Sequence, residues 1–120
     1  MSIILIVEDE IFIRQSAEGI IEDLGHVALA ADGLGEAIVH LAAPRLIDAL
    51  FVDIRLKTLA GGGYDVADQG IVIQPGMRVL YTSGTPLTPE MAALFVGGGQ
   101  FLQKPYSPAQ LEYALEELLR

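Results

Sequence analysis

Side chains able to bind a cation or a phosphoryl group follow directly after four short apolar runs of this chain. The runs and the residues that follow them are Ile3–Val7 with Glu8 and Asp9, residues 49–52 with Asp53, residues 79–81 with Thr82, Ser83 and Gly84, and residues 101–102 with Gln103, Lys104 and Pro105. Carboxylates bind hard cations and attack phosphorus, and hydroxyl and ammonium groups hold phosphoryl oxygens. If the runs are parallel strands of one sheet, their carboxyl ends gather these groups in one crevice.

The three acidic side chains of this set predict a cation site. Oxygen ligands with open positions suit Mg²⁺, which keeps several waters and accepts phosphate oxygens. We expect Asp9 and Asp53 to bind the ion directly and Glu8 to bind it through water. The backbone carbonyl of Arg55 would complete the protein's share. Asp53 taken alone is more typical of a residue that caps the segment after its strand, but the acidic pair at the matching strand end favours the metal site.

Lys104 and Ser83 add an ammonium and a hydroxyl at the ends of two further runs. A lysine before a proline is commonly solvated, but at this strand end its ammonium can reach the crevice and neutralise a phosphoryl oxygen. The Lys104–Pro105 bond can be cis, a choice that the sequence leaves open. Gly84 leaves room for a ligand beside Ser83, although this pair alone is an ordinary turn. The ordered set indicates a site, whereas no member does so singly.

Amphipathic helical segments alternate with the apolar runs, in the order β-α-β-α-β-α-β-α-β-α. The remaining strand is predicted at Val27–Ala31, and the apolar helix faces are Ile13, Ala17, Ile20, Ile21 and Leu24; Leu34, Ala37, Ile38 and Leu41; Met91, Leu94 and Phe95; and Leu111, Ala114, Leu115, Leu118 and Leu119. A weaker signal places a short helix at residues 64–71. The pattern predicts an α/β fold with a doubly wound, five-stranded parallel sheet in the flavodoxin-like order 2-1-3-4-5 and helices on both faces. The first and third strands of that order flank the ligand-binding switch point, and they carry the acidic residues.

Capping residues mark the ends of the predicted helices. Gly25 is placed to stop the first helix, and Asp32 is predicted to cap the second. Thr88-Pro89 pairs a cap with a first-turn proline, and the helix that it begins is predicted to continue until Gly97-Gly98-Gly99. Ser107-Pro108-Ala109-Gln110 is a full capping-box signature for the last helix.

The composition predicts one domain and excludes several classes of function. The chain has 120 residues, 52% of them hydrophobic, and a formal net charge of −9. Its seven basic residues are scattered, so we expect no direct contact with nucleic acid. It has no cysteine, which excludes disulfides and thiolate metal sites. The longest apolar run is far shorter than the roughly 20 residues of a membrane helix, and no signal peptide is evident, so we expect no membrane contact and a cytoplasmic location.

Together these motifs resemble the receiver domain of two-component response regulators over residues 2–119. The matching residues are Glu8-Asp9, Asp53, Ser83-Gly84, Lys104-Pro105 and the Ala31-Asp32-Gly33 start of the second helix. The resemblance implies a phosphoacceptor switch rather than an enzyme that acts on a separate substrate. Whether the switch also catalyses its own phosphorylation and dephosphorylation stays open.

The resemblance also implies a role for each matching residue. Asp53 accepts a phosphoryl group from a histidine kinase or a histidine phosphotransfer protein, while Glu8 and Asp9 hold Mg²⁺. Ser83 bonds to the phosphoryl group and Lys104 pairs with it. Phe101 falls at the family's switch aromatic, although a plain core aromatic explains it equally well. The expected readout surface, around the fourth helix, fifth strand and fifth helix, would control a downstream protein partner.

The segment after Asp53 departs from the family pattern. Lys57 stands where the family usually has a proline, and residues 58–63, Thr-Leu-Ala-Gly-Gly-Gly, replace the usual turn. We expect this loop to be mobile, because glycine restricts the backbone least. Arg55 and Thr85 are expected to flank the path of attacking water and to set the lifetime of the acyl phosphate. Arg55 could instead neutralise the acidic crevice in the resting state.

Other functions remain as alternatives at this stage. The altered loop leaves open a phosphorylation-independent, receiver-like docking module, although Asp53, Asp9 and Lys104 argue against it. A Mg²⁺ phosphatase of the haloacid dehalogenase type would need a second aspartate where Arg55 stands, and a nucleotide-binding domain would need a glycine-rich loop after the first strand. We expect a single receiver domain over residues 1–120 with no output domain. A weak homodimer through the fourth and fifth helices stays open, with no sequence feature to support it.

Overall fold

The structure is a computed structural model that describes residues 1–57 and 62–120, and its centre is a five-stranded parallel sheet. The elements are β1 Ile3–Val7, α1 Ile11–Asp23, β2 Val27–Ala31, α2 Leu34–Ala42, β3 Ala49–Asp53, α3 Gly62–Ile73, β4 Arg78–Ser83, α4 Pro89–Ala92, β5 Gln100–Gln103 and α5 Pro108–Leu119. The strand order is β2-β1-β3-β4-β5, which confirms the prediction. Within the described residues, no helix is both long enough and apolar enough to cross a membrane.

Two apolar cores lie on opposite faces of the sheet, because successive residues of a strand point to opposite sides. Leu5, Val7, Leu50 and Val52 pack against α2 and α3. Ile4, Ile6 and Phe51 pack against α1 and α5. The central strands are therefore apolar on both sides, which explains the high hydrophobic content of so short a chain.

Capping signals are used at the end of α1 and at the starts of α4 and α5. Gly25 has a φ of 88°, a left-handed conformation that ends α1. In the capping box of α5, Ser107 Oγ accepts a hydrogen bond from the N–H of Gln110 at 3.1 Å, and Gln110 Oε1 accepts one from the N–H of Ser107 at 2.8 Å. Asp32 does not cap α2, so that prediction is wrong.

The start of α2 is satisfied from inside the helix instead. Gly33 is the N-cap residue and makes no side-chain cap. The N–H of Asp32 donates to the carboxylate of Glu36 at 2.7 Å, so a first-turn acid closes this end. The third helix, predicted over residues 64–71, is present and longer at both ends, as the bounds of α3 show.

Helix α4 is much shorter than predicted, because the chain that follows it packs against Tyr81, a buried residue of β4. It ends at Ala92, although its Thr88 cap forms as expected. The ring of Phe95 stacks on Tyr81, with ring centroids 4.0 Å apart, and the N–H of Val96 donates to Tyr81 Oη at 2.9 Å. Gly99 also lies against this ring, since a Cβ at that position would stand 2.9 Å from Tyr81 Cε2.

We expect Tyr81→Phe to lower the free energy of unfolding by about 1 kcal/mol, because the N–H of Val96 would lose its acceptor while the ring stacking stays. Urea denaturation followed by circular dichroism measures this change. Tyr113→Phe is the matched control, since Tyr113 lies exposed on α5. An equal loss of stability in the two variants would contradict the anchoring role of Tyr81.

Candidate functional site

The carboxyl ends of β1, β3, β4 and β5 meet at one edge of the sheet and bring the predicted site residues together. Glu8 and Asp53 are 4% and 5% exposed, and Asp9 is partly buried beside them. β1 and β3 are neighbours in the sheet, with Val7 paired to Val52, so the residues that follow them are adjacent. The structure therefore places the three acids at the switch point of the sheet order, as predicted.

Lys104 forms two ion pairs across this crevice. Its Nζ lies 2.6 Å from Glu8 Oε1 and 3.0 Å from Asp53 Oδ2. The N–H of Lys104 donates to the Ser83 carbonyl at 2.9 Å, and the Lys104–Pro105 peptide bond is cis, which settles the choice that the sequence left open. The ammonium thus links β5 to the acids of β1 and β3, and it reaches the crevice as expected.

Each of the three carboxylates also accepts one backbone N–H, and these bonds fix its orientation. Glu8 Oε2 accepts from the N–H of Glu10 at 3.1 Å. Asp53 Oδ1 accepts from the N–H of Arg55 at 3.0 Å, and Asp9 Oδ2 accepts from the N–H of Lys57 at 2.7 Å. Hydrogen bonds to an ionised carboxylate are among the stronger ones in proteins, so the acids are held rather than free to turn away.

Burial and ion pairing shift the pKa values of Glu8 and Lys104. Burial raises the pKa of Glu8 to about 7, against the hydrogen bonds from Lys104 and Glu10 that lower it. Burial alone would lower the pKa of Lys104, but its hydrogen bonds to Glu8 and Asp53 outweigh that effect and raise it. The Lys104 ammonium thus offsets part of the effect of burial on Glu8.

The three acids fit a magnesium ion. Glu8, Asp9 and Asp53 each offer one carboxylate oxygen, and these oxygens lie within 4.8 Å of one another. A set of hard oxygen ligands from a few carboxylates, which leaves positions open for water and phosphate, is the arrangement that Mg²⁺ uses in phosphoryl-transfer sites.

Ser83 and Thr85 lie beside the acids at the end of β4. Ser83 is 1% exposed, and its Oγ accepts a hydrogen bond from the N–H of Thr85 at 3.1 Å. Gly84 between them is exposed, and a Cβ there would meet no atom within 4 Å. The hydroxyl is therefore already engaged within its own turn, with open space next to it. The Arg55 side chain is exposed.

Phe101 lies partly buried on β5, opposite Tyr81 in the sheet. Its ring centroid is 6.4 Å from that of Phe95, which stacks on Tyr81 in turn. Tyr81 and Ser83 are two residues apart on β4 and thus point to the same face. Tyr81 was not among the predicted site residues. Its signal was present, since a tyrosine interrupts an otherwise aliphatic buried run.

The glycines before Tyr64 have a different role from the one predicted. Residues 58–61 lie outside the described residues, so the prediction of a mobile loop there stays untested. Gly62 and Gly63 are buried in the first turn of α3, and the N–H of Gly63 donates to the Ile54 carbonyl at 3.0 Å. A Cβ on Gly63 would stand 2.2 Å from the carbonyl oxygen of Asp53. Glycine is needed here because the helix packs directly on the backbone of the strand end.

We expect Gly63→Ala to lower the free energy of unfolding by about 2 kcal/mol or more, because the added methyl group cannot fit against Asp53 without moving backbone. Thermal and urea denaturation measure the loss. Gly84→Ala is the control, since it adds the same methyl group in open space beside the site. If the two variants were equally stable, the close approach of α3 to Asp53 would be contradicted.

Comparisons with known proteins agree with this geometry. The family model of the response regulator receiver domain matches residues 4–116. The alginate biosynthesis transcriptional regulatory protein AlgB of Pseudomonas putida is 32% identical over 117 residues, which cover 97% of this chain and 25% of AlgB. This chain therefore spans about a quarter of the length of that regulator.

Solved structures share the fold along nearly the whole chain. A response regulator receiver protein from Sinorhizobium medicae has a TM-score of 0.87 and 31% identity, with 98% of this chain and 94% of that chain covered. The receiver domain of a sensor histidine kinase from Pseudomonas aeruginosa PAO1, whose structure contains a magnesium ion in its active site cleft, has a TM-score of 0.82 and 20% identity, with 98% and 97% covered. The family match, the relatives and the fold agree: this chain belongs to the response regulator receiver domain family of two-component signal transduction.

Proposed function

We propose that Asp53 is the phosphoryl acceptor of this receiver domain and that a histidine kinase or histidine phosphotransfer protein is its donor. The observation that carries the proposal is the position of Asp53, a buried carboxylate at the end of β3 that contacts the ammonium of Lys104. An Asp53 oxygen attacks the phosphorus of a phosphohistidine, the new O–P bond forms as the P–N bond breaks, and the imidazole leaves with the electron pair. The product is an acyl phosphate.

We assign the magnesium site to the three acids of the crevice. Asp9 and Asp53 would hold the ion directly with the backbone carbonyl of Arg55, and Glu8 would hold it through water. When bound, Mg²⁺ neutralises negative charge on the phosphoryl oxygens. The family membership and the clustered oxygens support this assignment.

Lys104 supplies the second positive charge of the proposed reaction. Its ammonium now contacts Glu8 and Asp53, so it needs only to turn toward a phosphoryl oxygen on Asp53 to neutralise it. Lys104 thus serves the acids before phosphorylation and the acyl phosphate afterwards. In this proposal the protein is a switch that is phosphorylated on its own Asp53, rather than an enzyme for a separate substrate.

Ser83 and Phe101 connect the acceptor to the expected output surface. In the proposed switch, Ser83 Oγ leaves the N–H of Thr85 and donates to a phosphoryl oxygen, and Phe101 moves into the space released. The aromatic contacts among Phe101, Phe95 and Tyr81 extend from that position to the chain after α4. A partner protein that reads the surface of α4, β5 and α5 would sense the change. Two such packings need to differ by only a few kcal/mol.

The proposal predicts a phosphoryl adduct on the intact protein. Incubation with acetyl phosphate and Mg²⁺ should add one phosphoryl mass to the native chain, and chelation of Mg²⁺ should prevent the addition. Asp53→Asn should abolish the adduct, whereas Asp23→Asn, at an exposed carboxylate where α1 ends, should leave it unchanged. An adduct that persists in Asp53→Asn would contradict the assigned acceptor.

Absence of an adduct on the folded native chain would need one further step to judge. The same chain would then be mixed with a phosphorylated histidine phosphotransfer protein, and loss of phosphate from that protein would be followed. Loss that requires Asp53 supports the proposal. If neither donor phosphorylates the chain, the phosphorylation-independent docking module becomes the better account.

We further propose that the side chains of Arg55 and Thr85 flank the acyl phosphate and set its lifetime. Both residues are tied to the site through their N–H groups, which donate to Asp53 and Ser83. We expect Arg55→Ala to speed the loss of the adduct several-fold, because water would reach the phosphorus more easily. The decay of the adduct after removal of the donor measures this rate. Equal decay in the native chain and Arg55→Ala would exclude a screening role.

A further inference from the structure

The backbone N–H of Lys57 links the segment after the acceptor to an acid of a different strand. It donates to Asp9 Oδ2 at 2.7 Å, while the Lys57 side chain is exposed. Proline, the residue that the family usually carries at this position, has no N–H and could not make this bond. The departure from the family pattern thus has a definite consequence at the acidic crevice.

Two N–H groups of this segment serve two acids. The N–H of Arg55 donates to Asp53 Oδ1, and two residues later the N–H of Lys57 donates to Asp9 Oδ2. Leu56 between them is buried in the core that lies against α2 and α3, which keeps both N–H groups turned toward the crevice. The segment is therefore held by its own packing and does not depend on the acids alone for its position.

The bond engages only one oxygen of Asp9. Within residues 1–57 and 62–120, both oxygens of Glu8 and of Asp53 accept hydrogen bonds, whereas Asp9 accepts its bond at Oδ2 alone. Asp9 also contributes an oxygen to the group that lies within 4.8 Å. A carboxylate held by one oxygen can present the other to a cation without reorganising, and such supporting bonds to metal ligands raise metal affinity.

We infer that the N–H of Lys57 is a positioning group for the magnesium site: it fixes the Asp9 carboxylate so that ion binding requires no further ordering of that side chain. The inference rests on the proposed magnesium site. The Lys57 N–H would also couple the ion to the conformation of residues 54–57. Through Asp9, a bound ion and that conformation would stabilise each other. If the N–H instead competed with the ion for Asp9, removal of the N–H would tighten Mg²⁺ binding.

A pair of substitutions at one position isolates the N–H. Lys57→Ala removes the ammonium and keeps the N–H, whereas Lys57→Pro removes both. We expect the Mg²⁺ dissociation constant, measured by isothermal titration calorimetry with MgCl₂, to be about tenfold higher for Lys57→Pro than for Lys57→Ala, which is the lower end of the effect that such supporting groups have. Equal constants, or tighter binding by Lys57→Pro, would overturn the inference.

The native chain offers a second measurement that does not depend on a variant that folds. In ¹H–¹⁵N spectra, the amide proton of Lys57 should resonate downfield and exchange slowly with solvent, both without Mg²⁺ and at saturating Mg²⁺. Loss of this signature on addition of Mg²⁺ would show that the N–H competes with the ion, and would overturn the inference even if Lys57→Pro did not fold.

The outcomes separate this inference from the proposal on which it rests. If MgCl₂ does not bind to the native chain at millimolar concentrations, the proposed magnesium site is wrong. If it binds to the native chain and equally well to both Lys57 variants, the magnesium site stands and the role of the Lys57 N–H is wrong.

Discussion

The ammonium of Lys104, held between Glu8 and Asp53, is the interaction on which the rest of the site depends. Two buried carboxylates at neighbouring strand ends repel each other, and burial raises the pKa of Glu8. Lys104 offsets this with contacts of 2.6 Å and 3.0 Å, and it comes from β5, two strands away from β3. Since the charge arrives from so distant a part of the sheet, the site requires β1, β3, β4 and β5 to be assembled side by side.

Other groups around the crevice also hold the acids in position. Gly63 lets α3 pack on the backbone of Asp53, and the N–H groups of Arg55 and Lys57 orient the acids. Ser83 and the buried ring of Tyr81 share one side of β4, and Tyr81 belongs to the core that packs against α2 and α3. In the proposed switch, a change at the phosphoryl position would reach the segment after α4 through the stacked rings of Tyr81 and Phe95.

Much of this arrangement was predictable from the sequence, because it depends on the spacing of apolar residues and on which residues follow each apolar run. Apolar runs ending in Asp53 or Lys104 predicted both the strands and the edge at which they meet, and the capping box at Ser107 predicted the start of α5. The remaining features depend on contacts between distant residues. The early end of α4 follows from the stacking of Phe95 on Tyr81, and the need for Gly63 follows from its approach to Asp53. A local pattern predicts none of these contacts, just as Asp32 gave a capping signal that the helix did not use.

The most direct test of this account is the thermal unfolding of Lys104→Ala with and without Mg²⁺. Without Mg²⁺, the free energy of unfolding of the variant should be lower by about 3 kcal/mol or less. The loss stays at the low end for a buried ion pair because the Lys104 side chain is 17% exposed. Saturating Mg²⁺ should restore most of that loss, so that the ion raises the unfolding temperature more in Lys104→Ala than in the native chain. Arg120→Ala, which breaks only a surface ion pair with Glu117, should show the native response to Mg²⁺. An equal rise in the native chain and Lys104→Ala would contradict the claim that the Lys104 ammonium holds the place of a cation among these acids.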